Sequence, residues 1–266
     1  MEQSYKVYFH LGLPKTASTY LQAKIFPKMP VINYFKKHHF KKYRTLQPED
    51  GEIYFFTREM DRGLEKELDR IKETFPENAC IILVFRHHFN WIVSKYKNYI
   101  RKFGHLTFDE FFSTNGKGNL NMGKYYYSDI VKLVEERFGD RALFLNFEDL
   151  KKSPLLLVRK IYDYIGLEEE EIVLSKRVVK RSFSNNQLKI VRKFNTFYRY
   201  KPLKTRYRIV NQVHYKYRHF LLHIVAFFAR FIPVKTDDLE QEWLNRKAFI
   251  EDFFEEDWKQ MLKKFS

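Results

Sequence analysis

The segment Lys6–Gln22, KVYFHLGLPKTASTYLQ, constrains this chain more than any other. A β-type run, Lys6-Val7-Tyr8-Phe9-His10, breaks at Gly12 and Pro14, and a helical pattern resumes with Tyr20 and Leu21 after Lys15-Thr16-Ala17-Ser18-Thr19. The predicted order is strand, tight loop, helix. Such a junction aims the N–H groups of the loop and first helical turn at one point, where the helix dipole favours negative charge. Lys15 adds a mobile cation, and Thr16, Ser18 and Thr19 add hydroxyl donors and helix caps. The residues alone leave a plainer alternative, in which Ser18 or Thr19 caps a helix and Lys15 is a solvated loop charge. A Walker loop fits worse, because its G-x-x-x-x-G-K-[ST] pattern needs a second glycine before the lysine and none precedes Lys15.

At 266 residues the chain can bury a large core, and one domain is expected over 1–266. Lysine and arginine number 49 against 33 acidic residues, so the net charge of +16 calls for anionic partners: a nucleotide, an acidic glycan, nucleic acid or an acidic membrane. The one cysteine, Cys80, borders the apolar run Ile81–Val84 and reads as a small buried hydrophobe. Without a disulfide framework, and with neither a secretory signal nor a membrane-spanning apolar stretch in the sequence, the expected location is cytoplasmic.

Along the chain, Val31–Gln47 reads as a solvated basic loop, its His38-His39 pair set among Lys36, Lys37, Lys41 and Lys42 in a way that argues against a metal site. Ile53–Phe56 reads as a strand, and Glu59 follows it where functional side chains gather in α/β sheets; the other reading of Glu59 is a first-turn carboxylate on a helix dipole. The apolar run Ile81–Phe85 suits a central parallel strand buried on both faces, with Arg86 at its carboxyl end and a helical pattern through Trp91, Ser94 and Tyr99. Taken alone, Arg86 is a structural ion-pair residue. A short helix from Thr107, a glycine- and asparagine-rich loop to Gly123, a helix to Phe138, a strand at Ala142–Leu145 and a Ser153-Pro154 cap opening a helix to Gly166 complete a core over 1–167. The region 168–266 reads as helical. Within its basic stretch, 198–233, Ile209, Val213, Tyr217, Phe220, Ile224 and Phe228 follow helical spacing, which suits a helix lying on an acidic membrane or one packed on this domain or on a second subunit. Asp237–Phe265 reads as a long terminal helix, either continuous or broken.

This order predicts an α/β three-layer, P-loop-like fold with a mainly parallel central sheet flanked by helices. Two separated motifs then resemble the sulfotransferase family. Pro14–Thr19 is similar to its 5′-phosphosulfate loop, Pro-Lys-Thr-Gly-Thr-Thr, with Ala17 for the glycine and Ser18 for a threonine. Ala17 would oblige the loop to manage without a free positive φ. Arg86 and Ser94 match the family's 3′-phosphate site, although His88 stands where a proline is common.

The resemblance implies transfer of a sulfuryl group from 3′-phosphoadenosine-5′-phosphosulfate (PAPS) to an acceptor hydroxyl or amine, without a metal. It implies that Lys15, Thr16, Ala17, Ser18, Thr19 and Tyr20 hold the 5′ end, that Arg86 and Ser94 hold the 3′-phosphate, and that Arg181 covers the nucleotide. Lys15 would stabilise the leaving oxygen, with Glu59 as base ahead of His39 or His38. Charge and aromatic content favour a glycan or glycolipid acceptor, met at the inner face of a membrane. The rival readings are a P-loop nucleotide kinase and a non-catalytic basic protein binding membrane or nucleic acid.

Overall fold

A computed structural model describes residues 5–29, 32–60, 62–113, 119–121, 123, 125–168, 183–199, 205–232 and 237–265. The strands are β1 (Lys6–Gly12), β2 (Ile32–Phe35), β3 (Ile53–Glu59), β4 (Ala79–Phe85), the two-residue β5 (Phe112–Ser113) and β6 (Leu120–Asn121), and β7 (Ala142–Asn146). The helices begin with α1 (Ser18–Tyr20), α2 (Leu64–Thr74), α3 (His88–Arg101), α4 (Phe108–Phe111), α5 (Tyr127–Phe138), α6 (Phe147–Lys152) and α7 (Pro154–Ile165). They end with α8 (Asn185–Phe197), α9 (Arg208–Phe228), α10 (Asp237–Leu244), α11 (Lys247–Phe253) and α12 (Glu255–Leu262). Two compact units emerge, one of 1–87, 126–179 and 255–266, the other of 88–125 and 180–254.

The first unit holds a five-stranded parallel sheet in the order β2-β3-β1-β4-β7. Every residue of β4 is buried, as its unbroken apolar sequence requires of a strand covered on both faces. Alternate side chains separate two cores. Val7, Phe9, Leu11, Phe56, Ile81 and Leu83 face α2, α5 and Met261, whereas Tyr8, Phe55, Ile82 and Val84 face Leu21, Phe26 and the Leu157, Val158 and Ile161 side of α7. These are the three layers expected. From β1 the chain passes to one side of the sheet for β2 and β3 and to the other for β4, so the carboxyl end of β1 is a topological switch point, where ligands bind in such sheets.

The basic stretch after Val31 departs from its reading as a loop. It forms edge strand β2 and a 3₁₀ turn over Lys37–Thr45, because Phe40 and Tyr43, three residues apart, both turn into the core. The Tyr43 hydroxyl donates to Glu67 at 2.7 Å and Arg44 pairs with the same carboxylate at 2.8 Å. His38 and His39 remain exposed.

The terminal helical segment is the broken one of the two forms expected, three helices in succession, and the last of them closes the first unit. Asp257 of α12 is buried and its two oxygens accept the N–H groups of Tyr127 (2.8 Å) and Ser128 (2.9 Å), capping α5 from 130 residues away in sequence. This carboxylate satisfies helix donors that the α5 sequence leaves without a local cap. Asp257→Ala should therefore lower unfolding free energy by roughly 2–3 kcal/mol in urea titration, since it leaves buried donors unmade; a loss under 0.5 kcal/mol would assign the cap no weight.

Candidate active site

At the end of β1 the chain makes a close turn that leaves little space for a side chain. A Cβ on Gly12 would lie 3.0 Å from Ser18 Oγ and 3.4 Å from His10 Cε1 and Nε2, so strand end, helix start and imidazole meet around one backbone atom. The loop between them takes the left-handed region twice, at Lys15 (φ 78°) and Ala17 (φ 63°). Contrary to the expectation for a residue in place of glycine, Ala17 adopts the positive φ that the turn demands, at a cost of about 1 kcal/mol. Its carbonyl then accepts the N–H groups of Tyr20 (2.8 Å) and Leu21 (3.1 Å), which starts the helix. Ser18 and Thr19 occupy the first turn, where N–H groups have no partner within the helix. The helix widens to π geometry over Leu21–Ile25 as Leu21 and Ile25 seat in the core.

The side chains divide by role. Thr16 is fully buried and its hydroxyl donates to Leu13 O at 2.6 Å, so it braces the loop and does not reach outward as a donor. Ser18 is 1% exposed, and its Oγ has no hydrogen-bond partner among the described residues. Lys15, Ala17, Thr19 and Tyr20 are half-buried around it.

Arg86 leaves the end of β4, beside β1, and its Nη1 donates to Lys15 O at 3.3 Å. The guanidinium lies 4.5 Å over the Phe147 ring and the Arg86 carbonyl accepts the Tyr127 hydroxyl at 2.9 Å, so backbone and side chain are both held. Burial lowers its pKa from the ordinary arginine value, partly offset by the Glu148 carboxylate. Its Nε is buried with no partner among the described residues, as are Ser18 Oγ and His10 Nε2. An arginine donor and a serine hydroxyl left without partners among the described residues, beside a helix N-terminus, form the donor set that a phosphate or sulfate oxygen takes.

His10 is the residue that sequence reading passed over as a strand position. Its Nδ1 lies 2.9 Å from Thr57 Oγ1, which also accepts from Gln22 Nε2 at 3.0 Å. Complete burial pushes its pKa down to about 4, so the ring is neutral beneath the loop. A polar ring in the middle of an otherwise apolar strand was the available signal. Glu59 ends β3 directly opposite Gly12 in register, half-buried at the mouth of the same loop. His39 is exposed on the 3₁₀ turn. Ser94 is half-buried on α3, in the second unit, and Arg181 lies outside the described residues. Glu148 pairs with Lys151 at 2.6 Å and Asp149 with Lys160 at 3.5 Å, as befits loop-fixing residues. Among the described residues no group of three or more His, Cys, Asp or Glu could hold a metal ion.

Two measurements test this geometry. Ala17→Gly relieves the left-handed strain and should raise unfolding free energy by roughly 0.5–1 kcal/mol, the gain being reduced by the freer unfolded chain; a destabilised variant would contradict the φ assigned. His10 has a folded pKa below its unfolded value, so the unfolded state binds the extra proton and stability falls as pH drops below about 6.5 toward 4. Between pH 7 and pH 5 the wild type should lose about 2 kcal/mol that His10→Gln does not lose. Parallel pH profiles for the two proteins would remove His10 as the cause.

Comparison with known proteins gives one consistent result. A model described as the sulfotransferase family matches residues 32–171. Sulfotransferase 1C2 of Homo sapiens is 32% identical over 117 residues, covering 41% of this chain and 38% of that protein. Sulfotransferase 1 family member D1 of Mus musculus is 30% identical over 118 residues, covering 43% and 40%. The matched segment thus spans well under half the length of these curated relatives. A sulfotransferase from Alicyclobacillus acidocaldarius has a similar structure, with TM-score 0.52 and 15% identity over 73% of this chain and 96% of that one.

Proposed function

The chain belongs to the sulfotransferase family, and on that premise we propose that it transfers a sulfuryl group from PAPS to an acceptor hydroxyl or amine, releasing adenosine 3′,5′-bisphosphate. The observation that carries the reading is the tether between the two motifs. Arg86, at the end of β4, donates to the backbone of Lys15 in the loop after neighbouring β1, so the donors assigned to the 3′ and 5′ ends of the nucleotide share one end of the sheet. The buried Ser18 Oγ and Arg86 Nε, neither with a hydrogen-bond partner among the described residues, support the fit of an anionic nucleotide.

The chain's own groups have the following tasks. Loop and first-turn N–H groups, with Ser18 and Thr19, position the 5′-phosphate and sulfonate oxygens, and Arg86 with Ser94 orients the 3′-phosphate. Arg181 belongs to the same nucleotide set. As sulfur bonds to the acceptor oxygen and its bond to the bridging oxygen breaks, negative charge collects on that bridging oxygen, which Lys15 stabilises. Glu59, across from Gly12, takes the acceptor proton, with His39 the second choice. PAPS supplies the activated sulfuryl group, and no step requires a metal. The excess of positive charge supports an acceptor that is a glycan or glycolipid, itself anionic.

Calorimetry with adenosine 3′,5′-bisphosphate against adenosine 5′-monophosphate tests the assignment. The first should bind at least about tenfold tighter, and Arg86→Ala should remove most of that difference, which corresponds to ~1.4 kcal/mol or more. Lys15→Ala should lower turnover by about 100-fold or more while changing bisphosphate affinity much less, because its charge acts on the leaving oxygen. Equal affinity for the two nucleotides would sink the role of Arg86. Turnover with ATP and magnesium in place of PAPS would favour a kinase.

A further inference from the structure

Helix α9 presents the wrong face to solvent for an ordinary surface helix. Its inward side holds Arg218, Leu222, Ala226 and Ala229, all buried. Arg218 donates to Tyr198 O and its guanidinium lies 4.5 Å over Phe194 and 4.1 Å over Tyr198. Gln187 of α8 donates to Ala226 O at 2.7 Å and Asn186 to Ala229 O at 2.9 Å, so the orientation of α9 is fixed within its unit. The outward side is apolar. Ile209 (75% exposed), Val213, Phe220 (61%), Ile224 and Phe227 run along it at spacings of three, four and seven, and Phe231 (71%) follows in the turn beyond its end. Helical geometry puts these positions on one stripe, and a stripe of this length is far more than the scattered exposed hydrophobics of a monomer surface. Lys216, His223 and Arg230, all exposed, flank it.

Charge identifies what covers the stripe. Residues 172–236 contain sixteen lysines and arginines and no aspartate or glutamate, so the whole net charge of +16 resides in this stretch and the rest of the chain balances at 33 of each sign. A second copy of the same surface would bring like charges together, which disfavours self-docking. A nucleic acid would answer the cations but offers little to the aliphatic Ile209, Val213 and Ile224. A bilayer with anionic headgroups answers both, since phenylalanine and isoleucine insert at the acyl boundary while flanking lysine and arginine meet phosphate. No helix among the described residues is long and apolar enough to cross a membrane.

We propose that the outward face of α9 and the turn after it dock this protein onto an anionic phospholipid bilayer, with Ile209, Val213, Phe220, Ile224, Phe227 and Phe231 entering the interface and Lys216 and Arg230 contacting headgroups. The docking stands independently of sulfuryl transfer. If both hold, the acceptor is met where glycolipids reside.

Vesicle co-sedimentation of the full chain tests this, with phosphatidylcholine alone and with equal parts phosphatidylcholine and phosphatidylglycerol. The wild type should partition at least about tenfold more strongly to the anionic vesicles. The triple variant Ile209→Ser, Phe220→Ser, Phe227→Ser should lose about tenfold or more of that binding, including at salt concentrations that screen the charges. All three sites are solvent-facing, and circular dichroism checks that the fold persists. A second variant, Lys216→Glu with Arg230→Glu, should lower binding mainly at low salt. Absent vesicle binding, binding indifferent to the triple variant, a dimer that the triple variant dissolves, or binding to RNA or DNA alone would each overturn the proposal. Bisphosphate calorimetry on the same sample keeps the readings apart: vesicle binding without nucleotide binding would remove the sulfuryl-transfer reading and leave the docking face.

Discussion

The close approach at Gly12 is the contact on which the first unit depends. The carboxyl end of the central strand, the start of the first helix and the buried imidazole of His10 meet there so closely that a side chain would push its neighbours aside. Because β1 is paired on both sides, by β3 and β4, its end cannot shift without disturbing the sheet. The loop must then reverse direction within Leu13–Ala17, which forces two non-glycine residues into left-handed backbone. Such strain persists where the surroundings over-determine it, here through the Thr16 brace on Leu13 and the seating of Leu21 in the core.

The same constraint gives the site its chemistry. A loop held this tightly presents fixed N–H groups, and fixed dipoles stabilise charge without reorganising when it appears. Beneath the loop a neutral imidazole serves better than a charged one, since burial removes the solvation that an imidazolium needs. Arg86 supplies the permanent positive charge, kept in place by Phe147, the Lys15 carbonyl and the hydroxyl of Tyr127 on its own carbonyl. Tyr127 in turn begins a helix capped by Asp257, so a residue near the chain terminus supports the strand end that carries the arginine.

The second unit follows different logic. Its buried apolar residues, among them Trp91, Tyr96, Leu188, Val191 and Trp243, are joined by polar groups with specific partners: half-buried Arg192 forks onto half-buried Glu242 at 2.6 and 2.7 Å, and buried Asn195 donates to the carbonyls of Ile100 and Gly104, each at 2.9 Å. Its apolar surplus is carried outward on α9. The directional bonds within the unit fix orientation closely, which is what an outward apolar stripe needs if it is to meet a plane.

By itself the sequence determined the local elements and the two motifs. Strand, loop and helix at Lys6–Gln22, the apolar run ending in Arg86, the helix start at Thr107 and the Ser153-Pro154 start were all legible, because each depends on residues within a few positions of one another. Edge strand β2 was not, since four residues with no clear alternation between half-buried and exposed positions carry little signal. Nor was the burial of Phe40 and Tyr43, whose spacing of three follows the 3₁₀ period and not the α-helical one. Only the tertiary structure decided that Ala17 takes the left-handed turn, that His10 lies under the loop, that Glu59 faces Gly12, and that Arg218 occupies the inner face of α9 while the periodic apolar residues face out. Periodicity assigns a side chain to a face of its own element. Which face is covered depends on what other parts of the chain arrive there, and that is settled by packing.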